Sequence, residues 1–135
     1  MKKLLFFAAL VLISKTGFGQ VSPSATTTNT DMAVAAFDAQ SFDFGKIKQN
    51  VPATHEFKFT NNGKVPMVIT NVQASCGCTT PDWSKTPVPP GATGFVKATY
   101  NATNVGAFTK SVTVTANVEG GMISLRIQGE VVQNP

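Results

Sequence analysis

The sequence predicts an all-β domain in which about seven short antiparallel strands form a sandwich. Apolar and polar side chains alternate with a period of two in several segments, among them Phe108–Val118, and this alternation is typical of half-buried strands. Turn residues separate the segments, for example Asn61-Asn62-Gly63 and Pro89-Pro90-Gly91. No segment has an apolar stripe with helical spacing. A chain of 135 residues has room for one modest core of this class.

The predicted strands span Ser41–Ile47, Thr54–Thr60, Met67–Gln73, a short piece near Val88, Phe95–Tyr100, Phe108–Val118 and Met122–Val132. Seven short strands in roughly a hundred residues match the size of an immunoglobulin-like sandwich. The apolar faces predict a core built mainly from Phe42, Phe44, Phe57, Phe59, Ile69, Val72, Val112, Val114, Leu125 and Ile127. The aromatic residues are therefore interpreted as core residues and not as a ligand cage.

The alternation justifies the individual strands in chain order. Thr54–Thr60 places two phenylalanines on one face and polar or charged residues on the other. Phe95–Tyr100 alternates valine, alanine and tyrosine with lysine and threonine, and Phe108–Val118 sets mostly valine and alanine against threonine and serine. Met122–Val132 sets isoleucine, leucine and valine against serine, arginine, glutamine and glutamate. Each pattern fits a strand with one face on a core.

The first 19 residues are interpreted as a secretory signal peptide. Met1-Lys2-Lys3 is a short basic region, Leu4–Ile13 is an uncharged apolar run, and Gly17-Phe18-Gly19 offers small residues where a signal peptidase cuts. The run is too short for a membrane span, which needs about 20 apolar residues. Cleavage after Gly19 predicts an exported protein, periplasmic or extracellular, with no membrane span.

The expected organisation is a signal peptide over residues 1–19, a flexible lead over 20–36 and the sandwich over 37–133. The lead consists mainly of small and polar residues, which bury too little apolar surface to offset the entropy of folding. Removal of the signal takes away Lys2, Lys3 and Lys15, so the formal charge falls from +4 to +1. The remaining basic residues are scattered singly, and no nucleic-acid partner is expected.

Six motifs follow one another along the chain: Phe42-Asp43-Phe44-Gly45-Lys46-Ile47, Phe57-Lys58-Phe59-Thr60-Asn61-Asn62-Gly63, Pro66-Met67-Val68-Ile69-Thr70-Asn71-Val72, Ser75-Cys76-Gly77-Cys78-Thr79, Pro90-Gly91 and Ile127-Gln128-Gly129-Glu130-Val131. Together they resemble the bacterial family called domain of unknown function 1573, and the Cys-Gly-Cys-Thr element is the most specific part. The resemblance covers about Phe37–Val132. More distantly, the pattern is similar to the immunoglobulin-like superfamily of major sperm protein, PapD chaperones and Hydin-type proteins. The resemblance implies a sandwich used for binding or scaffolding, without an established activity.

Cys76 and Cys78 are the only cysteines, and they form the candidate site. A structural disulfide between them closes a ring of three residues, which contributes about 1.6 kcal/mol through chain entropy before any strain. Gly77 fits such a ring because glycine tolerates unusual backbone angles. A strained and exposed bridge is also the labile kind used in thiol–disulfide exchange. No helix N-terminus is expected beside it, however, and Lys85 is the nearest cation in sequence.

Two further interpretations of the pair remain open. Two thiolates one residue apart suit a soft ion such as Cu(I), whereas a structural zinc site needs four ligands and His55 is the only histidine. The cysteines also fit a tight corner as small packed thiols near Trp83. An oxidising compartment favours the disulfide over free thiols.

No catalytic residue, metal ligand or cofactor is assigned. His55 lies in an alternating segment and is expected on a strand surface, and neither a nucleophile elbow nor a phosphate-binding glycine loop is present. The leading prediction is an exported, non-catalytic binding or structural module. Its partner is expected to be another protein or a cell-envelope component, engaged by strand addition at Phe42–Ile47 or Met122–Val132. The alternative is a periplasmic thiol-redox or Cu(I)-binding protein that uses Cys76 and Cys78.

Overall fold

The computed structural model describes Gly19 and residues 32–133. The predicted signal peptide and most of the predicted lead lie outside these residues. The described part contains eight strands and no helix: β1 (Ala35–Phe37), β2 (Ser41–Lys48), β3 (Ala53–Asn61), β4 (Ile69–Ala74), β5 (Thr79–Trp83), β6 (Thr93–Tyr100), β7 (Gly106–Ala116) and β8 (Met122–Val132). The described residues therefore include no helix that is long and apolar enough to cross a membrane.

Two four-stranded sheets form the sandwich. The first sheet has the order β1-β3-β6-β5 and the second has the order β2-β8-β7-β4. This arrangement confirms the predicted all-β sandwich. One pairing differs from the prediction of antiparallel strands throughout, because β2 runs parallel to β8, with Phe42 opposite Ile127.

The core lies between the two sheets. Of the predicted core residues, all are buried except Phe42 and Phe44, which are partly buried. Both lie on β2, an edge strand with one neighbour in its sheet, so their side chains are less covered than those of inner strands. The most deeply buried large side chains are Phe57, Phe59, Met67, Leu125 and Ile127.

Several elements differ from the prediction. The lead was expected to extend to residue 36, but Ala33 is only 1% exposed and its N–H donates to the carbonyl of Asn117 at 2.9 Å. β1 follows directly, so the domain begins before its expected boundary. β5 was not predicted, because Pro81 disfavours strands; it is tolerated there since β5 is an edge. The expected strand near Val88 is a single bridge to Met67.

Asn61, at the end of β3, is completely buried although its motif predicts a turn. Its Oδ1 accepts hydrogen bonds from the N–H groups of Val34 at 3.3 Å and Gly63 at 2.9 Å. Its Nδ2 donates to the carbonyls of Val65 at 2.8 Å and Val88 at 2.9 Å. Both atoms of the amide are therefore fully used, and one side chain joins three segments of the chain.

Candidate functional site

The cysteine motif forms the corner between β4 and β5, where the chain passes from the second sheet to the first. Each of these strands is an edge of its sheet. Backbone hydrogen bonds hold both ends of the corner. The N–H of Ser75 donates to the carbonyl of Ser111 at 2.9 Å, and the N–H of Asn101 donates to the carbonyl of Cys78 at 2.9 Å.

Cys76 and Cys78 are joined by a disulfide in the structure, with their Cα atoms 5.3 Å apart. The N–H of Cys78 points back toward the Sγ of Cys76 at 3.3 Å. Gly77 has no positive φ, so its backbone does not use the left-handed angles that glycine tolerates. It is exposed, and a Cβ added to it would meet no atom within 4 Å. The corner is therefore open on the side of Gly77.

A buried hydroxyl lies against the disulfide. Thr79 is 4% exposed, and its Oγ1 lies 3.9 Å from the Sγ of Cys76 and 4.0 Å from the Sγ of Cys78. Within the described ranges these sulfurs are the only hydrogen-bond partners of the hydroxyl. The distances are at the long end for sulfur, so the contacts are weak while the bridge is intact.

The nearest cation in sequence is engaged elsewhere. The Nζ of Lys85 lies 2.9 Å from the centroid of the Trp83 ring and 3.9 Å from a carboxylate oxygen of Asp82. In the part of the chain that the structure describes, the hydrogen-bond donors around the sulfurs are neutral groups. The same part contains no cluster of three or more His, Cys, Asp or Glu residues that could hold a metal.

The sequence predicts His55 on a strand surface, but in the structure its ring is partly buried between other aromatic rings. Its ring stacks on Phe42 of the opposite sheet, with centroids 3.7 Å apart and planes at 7°, and meets Phe57 edge-on at 4.7 Å. Partial burial lowers the pKa of His55, because desolvation disfavours the charged ring, while neighbouring Glu56 partly opposes this shift. The histidine therefore belongs to an aromatic contact between the sheets.

A shallow groove of about 370 Å³ lies on the outer face of the second sheet, and its lining includes Asp43, Lys46 and Glu130. The Asp43 carboxylate accepts hydrogen bonds from the Gln128 side chain at 3.1 Å and from the N–H of Gly45 at 2.7 Å. These bonds lower the pKa of Asp43. The carboxylate is thus held as an anion and is poorly suited to act as a general acid.

The four sheet edges differ in how well they could accept an added strand. β8 is not an edge, because it pairs with β2 on one side and β7 on the other, so the prediction for Met122–Val132 is wrong. β2 is an edge, as predicted, but a bulge interrupts it between Asp43 and Lys46. It also carries three lysine or aspartate side chains among its eight residues.

The remaining edges are β1, β5 and β4. β1 has only three residues, and Pro81 in β5 has no N–H to offer. β4 has six uncharged residues and contains neither proline nor glycine. Since Ser75 bonds toward β7, the alternation of antiparallel pairing leaves Val72 and Ala74 with their N–H and C=O groups on the open side.

The comparisons with known proteins agree with this architecture. A family model described as "Protein of unknown function (DUF1573)" matches residues 35–131, and no curated protein matches the chain. A protein of unknown function from Porphyromonas gingivalis W83 has a TM-score of 0.67 and 13% identity over 80% of this chain, which spans 51% of that protein.

Two other solved structures are similar in fold. PapD-like domain 7 of human CEP192 has a TM-score of 0.64 and 7% identity, and the alignment covers 94% of this chain and 100% of that domain. The VesB protease of Vibrio cholerae has a TM-score of 0.60 and 16% identity over 77% of this chain, but only 33% of the protease chain is covered. At such identities these likenesses show the fold alone.

Proposed function

The chain belongs to the DUF1573 family of proteins of unknown function, and on this premise we propose that it is an exported, non-catalytic binding module that takes up an extended segment of another protein along β4. The observation that carries the proposal is the open edge of this strand. It has six uncharged residues and none of the charges, prolines or glycines that protect other edges from pairing.

The backbone of β4 is suited to strand addition. On its inner side the strand is held by antiparallel pairing with β7. On its outer side, where the backbone groups of Val72 and Ala74 point, no strand among the described residues pairs with β4. At the start of this edge, Met67 and Val88 already exchange two backbone hydrogen bonds of 2.9 Å each. An added segment would extend this pairing along the rest of the edge.

The side chains beside β4 define the segment that would fit. Val72 is buried and Ala74 is half-buried, whereas Asn71 and Gln73 on the outer face are exposed. Across the open side of the sandwich, Cys78 and Trp83 are partly buried against the core. In a segment with alternating apolar and polar residues, the apolar side chains would cover Val72 and Ala74, and the polar side chains would lie beside the exposed Asn71 and Gln73. We therefore propose a partner of this pattern.

Export and the absence of catalysis are part of the same proposal. Export is supported by the signal-like pattern of residues 1–19. It is tested by sequencing the N-terminus of the protein from an exporting host, where Gln20 is the expected first residue. A protein that keeps Met1 and stays in the cytoplasm would contradict it. A non-catalytic role is supported by the engagement of Asp43 and His55 in structural contacts.

The binding proposal is tested with peptides selected from a displayed random library against the mature protein. Selected peptides should alternate apolar and polar residues, and they should slow hydrogen exchange at the amides of Val72 and Ala74. Ala74→Pro removes an N–H on the open side and leaves the pairing with β7 intact. We expect it to weaken binding about tenfold or more, with little change in the thermal midpoint.

A matched pair of charge variants separates the edge from the rest of the sheet. Gln73→Lys places a charge on the edge strand, and Thr109→Lys places one on an inner strand of the same face; both positions are exposed. The first change should weaken binding and the second should not. Equal binding by wild type, Ala74→Pro and Gln73→Lys would overturn the proposal, as would a library that yields no peptide protecting β4.

A further inference from the structure

We infer that the Cys76–Cys78 disulfide is a thiol–disulfide exchange site for a substrate with two neighbouring thiols, and that Thr79 is a positioning residue for the sulfur released as a thiolate. The exchange oxidises one substrate for each protein molecule, so it adds a stoichiometric redox role to the non-catalytic binding module and does not depend on the binding function. Three features of the corner carry it: one more donor at Cys76 than at Cys78, an open approach, and anchors that do not involve the bridge.

The two sulfurs are not equivalent. The Sγ of Cys76 faces the N–H of Cys78 at 3.3 Å and the hydroxyl of Thr79 at 3.9 Å. The Sγ of Cys78 faces only the Thr79 hydroxyl, at 4.0 Å, among the described residues. A thiolate accepts hydrogen bonds far more strongly than a disulfide sulfur. Release of Cys76 strengthens both contacts, whereas release of Cys78 strengthens only the contact with the hydroxyl. The N–H of Cys78 therefore makes Cys76 the better leaving group and Cys78 the sulfur that is attacked.

The burial of Thr79 gives its hydroxyl this role. At 4% exposure, the hydroxyl has little access to water, and its partners within residues 32–133 are the two sulfurs. A buried hydroxyl normally finds a strong acceptor, and the intact bridge offers only weak ones. Reduction of the disulfide supplies a strong acceptor at the same place.

The corner can be reached and can survive reduction. Gly77 is exposed, with open space around the position of a Cβ, and both cysteines are only partly buried. The ring has three residues, so the bridge constrains the unfolded chain little. The bonds from Ser75 to Ser111 and from Asn101 to Cys78 fix the corner by the backbone alone. Loss of the disulfide should therefore leave the sandwich folded.

The exchange has two steps. One thiolate of the substrate attacks the Sγ of Cys78; a sulfur–sulfur bond forms between substrate and Cys78, the bond between the cysteines breaks, and its electron pair passes to Cys76, which leaves as a thiolate. The second thiolate of the substrate then attacks the substrate sulfur of this mixed disulfide. Cys78 leaves and both cysteines take up protons. The substrate ends as a disulfide, and two electrons have passed to the protein.

The test is equilibration of the mature protein with mixtures of reduced and oxidised dithiothreitol, followed by alkylation and intact mass. The folded wild-type protein should be reduced, with its circular dichroism unchanged. Thr79→Val keeps the shape and removes the donor, and it should lower the equilibrium constant for reduction about fivefold. Thr79→Ser restores the hydroxyl and should return the constant to within about twofold. Thr80→Val, at the exposed neighbouring position, is the matched control.

A second readout separates positioning from a purely structural role. In the reduced protein, alkylation of Cys76 should begin at lower pH than that of Cys78, and Thr79→Val should move the Cys76 profile to higher pH. A packing role alone would shift the thermal midpoint and leave the profiles unchanged. The inference is overturned if reduction occurs only on unfolding, if the two profiles coincide, or if Thr79→Val behaves as Thr80→Val does.

Discussion

Removal of the Asn61 side-chain amide should cost a large part of the stability of this domain. Asn61→Ala deletes four hydrogen bonds. At about 1 kcal/mol net for each bond, the loss is roughly 4 kcal/mol. A small domain has only about 5–15 kcal/mol of unfolding free energy in total, so the variant should be folded but close to its limit.

The magnitude depends on which groups are left without partners. The bond to the carbonyl of Val88 is fully buried, so water cannot replace it and its loss is the most expensive. The other three bonds are part-buried, and water can restore some of them. Asn61→Asp keeps an oxygen for Val34 and Gly63 but turns a second oxygen toward two carbonyls. It should therefore be at least as unstable as the alanine variant at neutral pH, and less so in acid, where a protonated carboxyl can donate.

The assay is urea unfolding followed by the fluorescence of Trp83, the only tryptophan. Since a small domain has a slope of about 1–3 kcal/mol per molar urea, the midpoint of Asn61→Ala should fall by about 1–4 M. Asn62→Ala is the matched control, because the adjacent asparagine is exposed. It should change the unfolding free energy by less than about 0.5 kcal/mol. Similar midpoints for the two variants would refute the account of Asn61.

Three further predictions concern the aromatic contact and two glycines. Because folding lowers the pKa of His55, the unfolding free energy should not depend on His55 above its unfolded pKa of about 6.5 and should fall as the pH drops below that value. His55→Phe, which can still stack on Phe42, should abolish this pH dependence in urea titrations at pH 7.5 and 5. An unchanged pH dependence in the variant would contradict the prediction. Gly94→Ala drives a Cβ into the ring of Phe59 and should lower the unfolding free energy by about 1–3 kcal/mol. Gly77→Ala meets no atom and should change it by less than about 0.5 kcal/mol, so equal effects of the two glycine variants in thermal unfolding would be a contradiction.

The parts of the fold that follow from local pattern could be predicted from the sequence. Apolar and polar residues alternate along β6, β7 and β8, and this alternation alone indicates which face of each strand lies inside. β5 could not be predicted, because Pro81 reads as a strand breaker unless the strand is known to be an edge. That β8 is an inner strand and not an edge could not be predicted either, because its position between β2 and β7 depends on the order of strands in the sheet.

The candidate site was predictable in position but not in surroundings. Cys76 and Cys78 stand out as the only cysteines of the chain, and their spacing is enough to pose the question of a bridge. Nothing in the sequence indicated that Thr79 lies against both sulfurs, since a threonine after the motif reads as an ordinary strand residue. Asn61 and His55 were misread for a related reason. A polar residue that is buried by tertiary contacts has the same local signature as one in a turn or on a surface.

The parallel pairing of β2 with β8 has a mechanical consequence. β2 lies near the beginning of the described part of the chain and β8 at its end, so tension between the two ends of this part pulls these neighbouring strands in opposite directions along their length. In this shear geometry the hydrogen bonds of the pair carry the load together, from Arg126 donating to Gln40 to Gln49 donating to Val132. An antiparallel pair of terminal strands would instead be peeled apart bond by bond. The domain is thus arranged to resist stretching between its termini, whereas the short β1, which precedes β2, would be stripped away first.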